Sequence, residues 1–236
     1  MDQTSDTNSV SWRFFTAVCG LGLAALLAWD GLGLDMALAA PWGGPGGFAL
    51  RDDWWLSKIM HEGARALAWL VFLALAAGIW RPWGVLASLP LNARVRLFLS
   101  VLAALLSVTL LKGLSHTSCP WDLQAFGGSA AYVSHWALGQ RDGGGGHCFP
   151  AGHASAGFAF VAAYFGLRSA GSPSARWVLG AALLVGTVLG LSQQVRGAHF
   201  MSHTLWTAWL SWSMGGVAHF LMQAWVLKRL TRPGKS

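Results

Sequence analysis

Six apolar runs separated by short clusters of charge constrain this 236-residue chain more than any other feature. They lie at residues 12–29, 66–80, 97–111, 153–167, 177–192 and 204–227. A bilayer-spanning helix needs about 20 mostly apolar residues, within a range of about 17–25. The shorter runs reach that length if flanking Arg and Lys snorkel and the helix ends extend by a turn. In lipid only helices or closed barrels satisfy their own backbone, and the period-two alternation of barrel strands is absent. The runs therefore predict an all-α polytopic membrane protein, a single domain over 1–236. Its six transmembrane helices fall at about 12–29, 63–80, 95–112, 153–168, 176–192 and 204–227. Composition excludes a free cytosolic fold, since 54% of residues are hydrophobic and only 11% are charged, about half the usual share.

Placement of the few charges sets orientation, because Lys and Arg accumulate on the cytoplasmic side. With six spans both termini share one side. That side holds Arg13, Arg81, Arg94, Arg96, Arg168, Arg176, Lys228, Arg229, Arg232 and Lys235, ten of the 16 basic residues. The other side holds Arg51, Lys58, Arg65, Lys112, Arg141 and Arg196, with every acid except Asp2 and Asp6. The termini are expected to be cytoplasmic. The net charge of +7 is then an inner-face excess rather than a patch for nucleic acid, and the bilayer is the expected partner. Ten polar residues precede the first run, and no A-x-A-like site follows it, so that run reads as an uncleaved anchor. Asp52-Asp53-Trp54-Trp55 reads as an interfacial anchor.

The long outer segments carry the polar chemistry. Of eight His, seven lie on the outer side: His61, His116, His135, His147, His153, His199 and His203. Ionisable groups at a membrane boundary that face the bundle mark functional sites. His219, deep in the last run, reads as a packed core residue, and Cys19 as a small apolar filler. Cys119 and Cys148 share one outer loop. An oxidising compartment would pair them. The alternatives are a zinc set of His116, Cys119, His147 and Cys148, or free thiols.

Three segments converge on the outer face. Lys112 closes the third run and leads to Cys119-Pro120. Pro150-Ala151-Gly152-His153 opens the fourth. Arg196-Gly197-Ala198-His199, followed by His203, precedes the sixth. A helix N-terminus offers free N–H groups and a positive dipole end, and Gly152 allows close approach of a ligand. If the sixth helix starts early, His199 and His203 stand four residues apart on one face. Arg196 offers a guanidinium that binds phosphate in a bidentate manner. Two imidazoles among such cations suit phosphoryl transfer, one attacking phosphorus and the other protonating the leaving oxygen.

In these three segments the chain resembles the type 2 phosphatidic acid phosphatase superfamily, whose pattern is K-x6-R-P, P-S-G-H and S-R-x5-H-x3-D. The resemblance spans about residues 95–227. It implies that His199 is the nucleophile forming a phosphohistidine, His153 the general acid, and Lys112 and Gly152 part of the phosphate cradle. Four positions depart from the pattern. Cys119 and Gln193 stand where the family has Arg, Ala151 where it has Ser, and His203 where it has the Asp that orients the nucleophile. His203 is expected to serve as a catalytic partner, and Arg196, or more weakly Arg141, to replace the missing guanidinium. The implied activity needs no metal and no cofactor. The implied substrate is a lipid phosphate or diphosphate such as undecaprenyl diphosphate, phosphatidylglycerophosphate, phosphatidic acid or a lipid A phosphate. The site would face the periplasm from a bacterial inner membrane.

Three other readings use the same residues. A lipid-to-lipid phosphotransferase would employ the same site. A metallohydrolase would ligate metal through His153, His199 and His203. A non-enzymatic metal- or haem-binding membrane protein would draw on the outer His cluster.

Overall fold

The computed structural model describes residues 10–230, with side chains to residue 226. Asp2, Asp6, Arg232 and Lys235, used above to orient the chain, lie outside the described residues, as do the side chains of Lys228 and Arg229. The chain is mostly helical. Helix α1, Trp12–Leu32, starts where the Ser11 side chain accepts from the Phe14 N–H and ends at Gly33, whose φ is 63°. A short α2, Leu34–Ala39, follows, then a tight hairpin of β1, Gly43–Gly44, and β2, Gly47–Phe48. Helix α3, Trp55–Ala77, begins well before the expected residue 63. Asp53 accepts from the Leu56 N–H at 2.9 Å, and the first nine residues, Trp55–Gly63, wind as a π-helix. Helix α4 is Leu91–Leu114, α6 is Ala175–Val195 and α7 is Met201–Leu230.

The fourth of the six rods differs from its expected form. The region predicted as a helix over 153–168 is α5, residues 155–169, made of an α turn at Ser155–Phe158, a tighter 3-10 turn at Ala159–Ala162 and a further α segment at Ala163–Ser169. At 1.5 Å per residue it measures about 22 Å, less than a hydrocarbon core of about 30 Å. Helix α7 has ample length but hides polar side chains. Ser202, His203, Thr204, Thr207, Ser211, Ser213 and His219 are all buried in it. Among the described residues four helices, α1, α3, α4 and α6, are long and apolar enough to cross a membrane.

The core lies among α4, α5 and α7, and α4 packs extensively along α7. Leu97, Val101 and Ala104 of α4 pack against Ala159, Ala162, Ala163 and Leu167 of α5. Small residues let the backbones approach, as in membrane helix packing. A Cβ at Gly157 would lie 2.2 Å from the Gly186 nitrogen on α6, and one at Gly215 would lie 2.4 Å from the Ala162 Cβ. Helix α1 leans on α7 through Phe15, Trp212 and Phe220. His219 is held by Ser169 Oγ at 3.0 Å and stacks on Phe165.

The segment between α4 and α5 folds over one end of this bundle. Asp142 ties it together, accepting from the Ser118 N–H, Ser118 Oγ and the Gly144 N–H at 2.6, 2.7 and 3.0 Å. Burial opposes the ionised form of Asp142, but those hydrogen bonds outweigh it and lower its pKa. Cys119 and Cys148 are joined by a disulfide. Phe48, Leu123, Phe126 and Phe200 seal the segment to the hairpin and to the start of α7.

Candidate active site

The up-and-down chain order brings five helix ends together: the starts of α3, α5 and α7 and the ends of α4 and α6. His153 sits in the turn just before α5, rather than in a first helical turn. Gly152 accepts from Ser155 Oγ at 2.6 Å, and His153 accepts from the Ala156 N–H at 3.1 Å. The motif is anchored to α7, since the Ala151 N–H donates to the His203 carbonyl at 3.1 Å and Thr207 Oγ1 donates to the Ala151 carbonyl at 3.0 Å. The N–H groups of Gly152, His153 and Ala154 find no acceptor among the described residues, so they remain open to an anion. Lys112 reaches across with its stem against Gly152, where a Cβ would meet Lys112 Cδ at 3.3 Å, and its ammonium donates to the His147 carbonyl.

His199 does not share a helix with His203. Helix α7 begins at Met201, so His199 lies in the preceding turn, which Gly197 opens with a φ of 75°. The turn is fixed from both sides. Trp121 N–H donates to the Gly197 carbonyl at 2.9 Å, and Asp35 of α2 accepts from both the Ser202 N–H and Ser202 Oγ. The rings nevertheless gather, with centroids 6.1 Å apart for His153 and His199 and 5.8 Å for His199 and His203. His199 is 3% exposed and His203 1%. Burial holds the His199 pKa well below the ordinary imidazole range, and Lys112, His203 and His153 add electrostatic pressure in the same direction. A neutral imidazole is the form that can attack phosphorus.

Nδ1 of His199 faces the disulfide sulfur of Cys148 at 3.4 Å, not a side chain of α7. His203 packs instead among the rings of Phe149, Phe200 and His135, and its Nδ1 has no hydrogen-bond partner among the described residues. Cys148, His199 and His203 lie close enough for a metal, with ligand atoms within 4.8 Å of one another. The sulfur is committed to the disulfide, so the set offers two imidazoles and no thiolate. That is short of the three protein ligands of a catalytic zinc site.

Arg196 is 8% exposed, and two of its nitrogens are engaged. Nε donates to the Arg51 carbonyl at 2.8 Å and Nη1 to Gln193 Oε1 at 3.2 Å. Gln193, at the position of a family Arg, thus holds the Arg found one turn further on. Arg141 is exposed, and no hydrogen bond or ring contact among the described residues joins it to the imidazoles.

Residues outside the three motifs also enter the site. His61 of α3 stacks on His153 with centroids 3.5 Å apart. Asp30, near the end of α1, accepts from His135, Trp136 and Trp206 at 3.1, 3.0 and 2.9 Å, and His135 lies flat on Phe149 at 4.1 Å. Burial lowers the His135 pKa even though Asp30 pulls it upward. The sequence signal for His61 was its place among the seven outer-side histidines, ahead of the expected start of the second helix at residue 63.

Imidazoles, an ammonium and a guanidinium thus gather at one end of a mostly helical bundle with four helices of membrane-spanning length and apolarity, a histidine-centred candidate site whose cationic groups suit an anionic ligand. The sequence profile of the PAP2 superfamily matches residues 93–227, and the chain belongs to that superfamily. Its members are phosphatases, which supports a phosphoric ester hydrolase. Comparison with curated proteins and with solved structures returns no match.

Proposed function

We propose that the protein is an integral membrane phosphatase acting on a lipid phosphate or diphosphate through a phosphohistidine on His199. The gathering of His153, His199 and Lys112 from three separate segments at one end of the bundle carries this reading. His199 attacks phosphorus. Lys112 and the open N–H groups of residues 152–154 stabilise charge on the equatorial oxygens. His153 protonates the departing oxygen and then takes a proton from the water that cleaves the phosphohistidine. His203 packs behind the nucleophile, and the Cys148 sulfur against His199 Nδ1 limits its rotation.

All six rods are proposed to cross the bilayer, α5 with its flanking turns and α7 with its polar stripe turned inward. The termini are cytoplasmic and the site lies at the outer surface of an inner membrane. A cavity of about 440 Å³ supports a lipid substrate. It opens beside Gly152 and His153 and runs between α3 and α4 along Trp69, Phe72, Leu102 and Leu105. The mechanism draws on no metal.

The test is phosphate release from a panel of lipid phosphates in detergent. Wild type is expected to work in EDTA and to be blocked by vanadate, and His199→Ala to lose at least about a thousandfold in kcat. Equal release by wild type and His199→Ala would overturn the assignment, and zinc-restorable loss on chelation would overturn the metal-free mechanism.

A further inference from the structure

Helix α3 lies outside the matched residues 93–227, yet it forms one wall of the candidate site. Two of its cationic or ionisable side chains, His61 and Arg65, line the cavity together with His153 and Gly152. His61 lies directly on the His153 ring. Arg65 forms no salt bridge among the described residues, and the nearest acid along the helix, Glu62, is taken by Lys58 at 2.8 Å. A guanidinium at the rim of an apolar cavity, with no acid paired to it, is available to a ligand anion. The nine-residue π-helical start of α3 is a second departure from ordinary helix geometry. Such stretches concentrate at functional sites, where they re-aim side chains.

The contacts of His153 are informative. Its ring centroid lies 6.1 Å from that of His199 and 3.5 Å from that of His61. His61 and Arg65 in turn line the largely apolar cavity, and His199 does not. If His199 is the nucleophile and His153 the acid, as proposed above, then His61 and Arg65 stand on the side where the leaving group departs and where the lipid tail begins. An alcohol leaving group needs one proton and no further cations. A phosphate leaving group carries charge that an imidazole and a guanidinium would bind, the guanidinium in bidentate fashion.

We infer that His61 and Arg65 form a second anion subsite for the non-transferred phosphate of a lipid diphosphate. This inference rests on the phosphohistidine reading of His199 and His153. In the first step a His199 nitrogen bonds to the terminal phosphorus and the bond from that phosphorus to the bridging oxygen breaks. The electron pair stays on the bridging oxygen, which receives the His153 proton and leaves as part of a lipid monophosphate held by His61 and Arg65. Water then attacks the phosphohistidine, passes a proton to His153, and the P–N bond breaks to release inorganic phosphate.

The experiment compares farnesyl diphosphate with farnesyl monophosphate, two probes with the same tail, using the full chain in detergent. Wild type is expected to show the higher kcat/KM on the diphosphate. Arg65→Gln and His61→Gln are each expected to lower kcat/KM on the diphosphate about tenfold more than on the monophosphate, and Arg65→Lys to recover part of that difference. A wild type that favours the monophosphate, or variants that lower both substrates equally or neither, would overturn the subsite. His199→Ala on both probes separates the two readings. If it is inactive while the Arg65 and His61 variants show no discrimination, only the subsite fails. If it remains active, the phosphohistidine reading fails with it.

Discussion

The α4–α7 bundle and helix α3 both contribute to one site, yet they are built in opposite ways. None of the apolar stretch of α3 is buried inside the protein, against 39% of that of α6. Leu67, Leu70 and Leu73 of α3 are exposed, whereas Leu97, Val101 and Ala104 of α4 are sealed. His153, His199 and His203 are mounted on the packed side, braced by backbone hydrogen bonds between the motif before α5 and the first turns of α7. The cavity wall and the imidazole stacked on His153 come from the loosely packed side. Reacting groups need sub-ångström placement, which a jointly packed scaffold supplies. A wall that receives a substrate tail needs only apolar surface and a few polar groups. The superfamily match covers the braced part and leaves α3 outside it.

The largest effect that would sharpen this contrast lies in the disulfide. A double replacement, Cys119→Ala with Cys148→Ala, opens a loop of 29 residues and is expected to lower stability by about 3.5 kcal/mol in the chain-entropy view. It should also depress turnover, because the sulfur against His199 Nδ1 is lost. Unfolding and kinetics of the double variant, measured together, check both parts, and unchanged values would show that the outer segment does not brace the nucleophile. Next in size is Gly157→Ala. Its new Cβ meets backbone atoms of Gly186 that cannot rotate away, so a loss of about 1–3 kcal/mol is expected. Leu70→Ala on α3 is the matched control, since that side chain is 64% exposed and the change should stay within about 0.5 kcal/mol. Equal losses from Gly157→Ala and Leu70→Ala would erase the distinction between the two regions.

A pH series gives a smaller effect confined to the braced side. His199 and His135 have pKa values lowered in the folded protein, chiefly by burial. The unfolded chain therefore binds protons that the folded one refuses once pH falls below about 6.5. Stability should be full above that value and decline as pH drops through it, by at most about 1.4 kcal/mol per pH unit for each imidazole. Thermal unfolding in detergent between pH 7.5 and 5 reads the slope. A stability that rises with acid would mean that these rings are charged in the folded state.

The sequence was legible where one property governed a whole segment. Helices α1, α4 and α6 are apolar nearly all round, so their runs stood out from charge and hydropathy alone. The beginning of α3 was hidden because Lys58, His61, Glu62 and Arg65 interrupt the apolar pattern, and its π winding follows neither a 3.6 nor a 2.0 period. The motif residues Lys112, His153 and His199 could be named from three ordered segments that resemble the superfamily pattern. The company they keep could not. That Cys148, rather than His203, faces His199 Nδ1 depends on the fold of a 40-residue loop. The turn that places His199 ahead of α7, not on it, is set by contacts from Trp121 and Asp35, both remote in sequence. Asp30 likewise binds partners more than a hundred residues away.

The buried hydroxyls and imidazoles of α7 bear on how the protein is assembled. Exposed singly to acyl chains, a helix carrying Ser202, Thr204, Thr207, Ser211, Ser213 and His219 would leave a ladder of polar groups unsolvated. Synthesis delivers α1 to α6 before it, and its polar groups find partners there: Ser202 on Asp35 of α2, Ser213 on Cys19 of α1 and His219 on Ser169 of α5. In the proposed six-span arrangement, chain order then suits a bilayer: the helix that depends on neighbours arrives when they are already in place.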